Sequence, residues 1–171
     1  MDTAKLKELQ GPLKDRYRED PSSVVITLKA EGRLGSEEVS CSVETGRAMV
    51  EAGLHPATGG DGGLACSGDM LLQALVACAG VTLRSVVTNR GLDVQGTVRA
   101  EGDLDFRGTL GVDREAPVGF TDIRLIFDLT SSASPEELDA VLRATERYCV
   151  VLQTLARSPQ ISVSHHVATP S

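Results

Sequence analysis

The chain has 171 residues, 41% of them apolar and 24% charged, with three Phe, two Tyr and no Trp. That is enough for one domain plus an extension, with a core built from Val, Leu, Ile and Ala. The net charge of -7 argues against a nucleic-acid partner, because phosphate binding needs clustered Lys and Arg. No stretch reaches the roughly 20 apolar residues of a bilayer span. The charged N-terminus has no apolar signal core. A cytoplasmic protein without a membrane partner is therefore expected. In that compartment Cys41, Cys66, Cys78 and Cys149 read as free thiols or redox groups rather than structural disulfides. None forms a C-x-x-C pair, so a zinc site is not expected.

The first twenty residues predict a helix, with Leu6, Leu9 and Leu13 at spacings of three and four and a break or kink at Gly11-Pro12. Asp20-Pro21-Ser22-Ser23 closes that segment. The period then drops to two. Val24, Ile26, Leu28 and Ala30 share one face of "VVITLKAEG", "EGRLGSE" reads as a turn, and "EVSCSVET" alternates again, with Cys41 facing inward. This predicts a hairpin, followed by a third strand in "GRAMVEAG". The Gly-rich "HPATGGDGGLACSG" contains neither a phosphate loop nor a dinucleotide fingerprint and reads as a connection carrying a spare thiol, Cys66.

Ser67 is placed to cap the next helix, Asp69 lies in its first turn, and Gly91 is placed to end it after Asn89. From Met70 to Leu83 the only polar side chains are Gln73 and Thr82. A helix apolar all round is expected to be buried all round, so a second helix or a second subunit should cover what a sheet leaves open. Two strands follow, "LDVQGTVRAEGDL" and "TDIRLIFDLT", joined by a charged connection. "SPEELDAVLRATERYC" opens with a capping box, Ser134 to Glu137, with Pro135 at the first helical position. "VVLQTLARSP" is a further helix and "QISVSHHV" a last strand. His165 and His166 would face opposite sides of that strand and so cannot chelate together. The segregation of strands and helices predicts an α+β fold with an antiparallel sheet.

Cys78, inside the apolar helix, reads on its own as packing rather than chemistry. Cys149, in "RYCVVLQTL", sits where a new helical run begins, a position that favours a thiolate. Together, "DMLLQALVACAGVTL" and "ERYCVVLQTL" resemble the two cysteine motifs of the OsmC/Ohr family, and the order of elements is similar over residues 22–167. The resemblance implies an OsmC-like domain at 22–171 behind an N-terminal helical extension at 1–21. It implies a long buried central helix in an intertwined homodimer. It also implies a thiol peroxidase for organic hydroperoxides, and often hydrogen peroxide, that needs no metal or cofactor. On this resemblance Cys78 is the peroxidatic thiol, Cys149 the resolving one, and a dithiol reductant restores them.

The family uses an arginine to activate the thiol. Arg33, in the turn "EGRLG", resembles the placement of one subgroup; Arg47, on the third strand, suits another. Asp69 resembles the position of the family's glutamate, although nine residues put it on the opposite face of a regular helix from Cys78. Val150 stands where the family has a proline. The alternative reading is a non-catalytic protein on the same fold, binding a small apolar ligand or sensing redox state.

Overall fold

A computed structural model describes residues 2–19, 32–34, 40–44 and 49–167. The order is α1 (Thr3–Glu19), β1 (Gly32–Leu34), β2 (Ser40–Glu44), β3 (Met49–Gly53), a 3-10 turn (Pro56–Thr58), β4 (Ala65–Cys66) and α2 (Ser67–Arg90). There follow β5 (Val94–Leu104), α3 (Phe106–Thr109), β6 (Phe120–Ser131), α4 (Pro135–Tyr148) and α5 (Val150–Ala156). The fold is the α+β mixture the sequence predicts.

The strands form two sheets, one with the order β1-β2-β3-β4 and one a β5-β6 ribbon. Pairing is antiparallel except between β3 and β4, where the 3-10 turn carries the chain back in the parallel sense. The second strand of the hairpin lies where expected, as β2, and part of the expected turn is strand. Gly32–Leu34 is strand rather than turn, and Arg33 pairs with Ser42. The expected strand residues 24–31 lie outside the described residues. Cys41 is on β2 opposite Ala52, and the third strand is present as β3.

α1 runs through Pro12 without interruption. An internal proline deletes one backbone hydrogen bond and need not end a helix that is docked. The docking is visible: Leu6 is buried and the Thr3 hydroxyl donates to Thr88 O at 2.7 Å. The expected last strand is absent. Residues 159–167 have no regular structure, and Ile161, Val163 and Val167 are exposed; among the described residues no strand pairs with them.

The ribbon's two faces divide as the alternation dictates. Val98, Ala100, Ile123, Leu125, Phe127 and Leu129 pack on the buried residues of α2, α4 and Cys149. Arg99, Glu101, Asp103, Asp122, Arg124 and Asp128 form a ladder of ion pairs on the other face. Arg124 holds the Asp103 carboxyl below its usual range, but such exposed pairs add little stability; the ladder marks the face turned to water.

The N-cap of α2 lies one residue earlier than expected. Cys66 is the N-cap, without a side-chain hydrogen bond, and Ser67 is the first helical residue. Gly91 closes the helix in the left-handed conformation, φ 68°, which glycine adopts without a Cβ clash. Leu75, Ala79, Leu83 and Val87, four residues apart, are its buried stripe. β5, α4, α5 and α1 all pack on this helix. Within one chain that cover is incomplete: Leu71 is 38% exposed and Val81 73%. Burial on every face, expected from composition, is thus not reached within a single chain. By length and composition α2 also passes as a bilayer span, with mean hydropathy 1.8 over its most apolar window, contrary to the sequence expectation. Its neighbours are strand and helix side chains, as for a core helix.

Leu75 is fully buried between the ribbon and α5. Leu75→Ala should cost about 2–5 kcal/mol, the usual range for a truncated core leucine. Denaturant unfolding should show this as a lower midpoint at unchanged slope.

Candidate active site

The site is built where α4 becomes α5. Cys149 ends one helix and begins the other with φ -73° and ψ 106°, an extended residue between two helices. Its N–H still donates to Thr145 O, and its carbonyl still accepts from Gln153 N, both at 2.9 Å. The break therefore falls on the three following N–H groups, which a straight helix would direct at the carbonyls four residues back. One of those carbonyls, Glu146 O, takes the Gln153 side-chain amide at 2.8 Å instead. The N–H groups of Val150, Val151 and Leu152 are left to face the two cysteine sulfurs.

Cys78 approaches this junction from α2. It packs in one cluster with Leu75, Ala79 and Cys149, beside Val151 and Leu152. The Cys78 and Cys149 side chains are packing neighbours, close enough to perturb each other's ionisation. Thr82, one turn on, donates to Cys78 O at 2.8 Å, and its oxygen also lies against the Cys78 sulfur. A hydroxyl has one proton and rotates freely, so it is free to turn from the carbonyl to a thiolate once one forms.

The two thiols are displaced in opposite directions. Burial pushes Cys78 up, but the Val151 N–H, the Cys149 thiol, the Val150 N–H and the Thr82 hydroxyl together hold it below its ordinary value. Donors favour the anion. Burial also pushes Cys149 up, against the Leu152 and Val151 N–H groups, and the neighbouring Cys78 raises it further, as acceptor and as charge. Cys149 is the fully buried member and Cys78 the part-exposed one. These directions make Cys78 the readier of the two thiols to ionise, and the helix start that the sequence offered to Cys149 serves both sulfurs.

The structure brings Cys78 and Cys149 together and leaves Asp69 apart. Asp69 is nine residues back on a regular helix, about 13 Å along its axis, and lines a separate cavity with Val98, Arg99 and Ala100. Arg33 lies on β1 rather than at a turn tip, and Arg47 lies outside the described residues. The main groups that lower Cys78 are uncharged. Cys66 is a free thiol at the start of α2, twelve residues from Cys78 on the chain and about 18 Å along the helix. Among the described residues no cluster of His, Cys, Asp or Glu could hold a metal. Sequence reasoning missed Thr82 and the main-chain donors. Thr82 was legible as a polar residue one turn from Cys78; the main-chain donors leave no side-chain signal.

The family of OsmC-like proteins matches residues 60–164. No curated protein matches the chain. Among solved structures, the OsmC-like protein of Mycoplasma pneumoniae is similar at TM-score 0.64 and 16% identity, over 78% of this chain and 89% of that one. An organic hydroperoxide resistance protein of Elizabethkingia anophelis is similar at TM-score 0.62 and 14% identity, over 79% and 91%. The organic hydroperoxide resistance protein OhrB of Bacillus subtilis gives 0.53 and 15%, over 78% and 93%. Likeness at such identities speaks for the fold.

Thiolate, not thiol, reacts with alkylating agents. Iodoacetamide labelling followed by peptide mapping should place the Cys78 inflection below the ordinary thiol range and that of Cys149 above it. Thr82→Val, which removes one donor, should move the Cys78 inflection upward.

Proposed function

Because the chain belongs to the OsmC-like protein family, we propose that it is a thiol-dependent peroxidase acting on organic hydroperoxides. The observation that carries this reading is the contact between two free thiols of opposite displacement, Cys78 lowered and Cys149 raised. The Elizabethkingia and Bacillus proteins it resembles are both named for organic hydroperoxide resistance. The apolar surroundings, with Leu75, Val151 and Leu152 around the thiols, suit a peroxide with an organic substituent.

In the proposed cycle the Cys78 thiolate attacks the outer peroxide oxygen. The O–O bond breaks, the alkoxide leaves and takes up a proton as the alcohol, and Cys78 becomes a sulfenic acid. The Cys149 sulfur then attacks the Cys78 sulfur. Its proton and the sulfenic hydroxyl leave as water, and a Cys78–Cys149 disulfide forms. A dithiol reductant, itself oxidised to a disulfide, returns both cysteines to thiols. Such a cycle is at home in the reducing cytoplasm, where free thiols persist.

The activating cation remains a side chain of the hairpin in this reading, Arg33 first and Arg47 second. A charge there would add to the neutral donors and stabilise the departing oxygen. The protein works as a homodimer in this proposal: Leu71, Ile161 and Val163 are exposed apolar side chains, and a second copy would cover them.

Cys78→Ser should abolish peroxide consumption in the presence of a dithiol, while circular dichroism and melting temperature stay near those of the parent. Cys149→Ser should allow a single oxidation, trapped by dimedone as the Cys78 sulfenic acid, without sustained turnover. Retained turnover in Cys78→Ser would overturn the assignment. Sedimentation at micromolar concentration should give a mass near twice that of the chain; a stable monomer would remove the dimer from the proposal.

A further inference from the structure

A cavity of about 600 Å³ lies between α1, α2 and α4, within the range of roughly 300–1,000 Å³ typical of small-molecule sites. We propose that it binds a single-chain carboxylate. The acid group would lie at Lys14 and Arg90, and the apolar chain would run along α2 toward Thr82 and the thiol pair.

The floor of the cavity is a single helix face. Thr82, Ser85 and Asn89 line it and follow Cys78 at spacings of four, seven and eleven, so all four side chains share one side of α2. Thr82, at the near end, touches Cys78. From Cys78 to Asn89 the helix rises about 16 Å at 1.5 Å per residue, which calls for an extended chain rather than a compact ligand. The walls change character along that length. Val81, Val86, Ala144 and Tyr148 supply the apolar part, and Lys14 and Arg90 supply charge where α2 ends. Val81, 73% exposed, would gain the cover it lacks.

Charge selects the head group. Neither Asp nor Glu is among the described lining residues, although the chain carries 24 acidic against 17 basic side chains. Two cations on a wall whose described residues include no acid fit an anion. A helix C-terminus ordinarily repels anions through its free carbonyls. Here Thr88 O accepts from Gly91 N and the Thr3 hydroxyl, and Val87 O from Leu92 N, which blunts that repulsion. α1 contributes both to the quenching, through Thr3, and to the site, through Lys14.

The site does not depend on peroxide turnover, so its test reads binding. Isothermal titration of the full reduced chain with dodecanoate, below its micellar concentration, should show binding that weakens with salt. The occupant should slow alkylation of Cys78. Dodecanol, of the same chain length without the charge, should bind more weakly. Lys14 and Arg90 are both exposed, so Lys14→Gln/Arg90→Gln should fold normally and lose about tenfold in dodecanoate affinity, two exposed charge contacts' worth. Lys14→Arg should retain parental affinity. Equal binding of dodecanol and dodecanoate, undiminished dodecanoate affinity in the double variant, or binding only to anionic lipid vesicles would each overturn the proposal. Loss of peroxidase activity in Cys78→Ser with dodecanoate binding intact would leave both readings standing; failure of either experiment identifies which one is wrong.

Discussion

One extended residue between two helices organises the chemistry of this protein. Had Cys149 adopted helical ψ, the N–H groups of Val150, Val151 and Leu152 would be spent on carbonyls within a single long helix. At ψ 106° they are released, and they act on the two cysteine sulfurs. The break costs little because the neighbouring bonds survive: Thr145 O and Cys149 O keep their partners, and Gln153 satisfies Glu146 O. A structural defect is thus turned into a group of oriented donors beside a thiol that burial alone would keep protonated.

The same junction separates the roles of two chemically identical side chains. Cys149, fully buried, is raised first by burial and then by the charge that Cys78 acquires; Cys78 is held down by the donors. Ionising one thiol therefore opposes ionisation of the other, and the pair holds one proton over a widened pH interval. In the proposed cycle one sulfur attacks and the other follows.

α2 links this site to the rest of the molecule. Its Leu75–Ala79–Leu83–Val87 stripe carries both hydrophobic clusters, and Cys78 sits beside that stripe rather than within it. Displacing the helix would move the thiol relative to the α4–α5 junction. The face that the ribbon and α4 do not cover carries Leu71 and Val81. A rigid helix packed on one side and open on the other gives the thiol a fixed position with an accessible approach.

The sequence by itself determined the elements that local chemistry dictates. Period-two alternation set β5 and β6, Gly91 set the end of α2, and the Ser134–Glu137 capping box set the start of α4. The two cysteine motifs also marked the family and the residues to watch. Tertiary structure decided what depends on partners distant in the chain. Pro12 did not break α1, because docking on α2 outweighs one lost hydrogen bond. "QISVSHHV" did not form a strand in the single chain, because alternation supplies a face and not a neighbour. Gly32–Leu34 became strand through its register with Ser40–Glu44. The donors that lower Cys78 were illegible because they are main-chain groups, the same in every residue but proline. Only the turn of the backbone at Cys149 determines where they point.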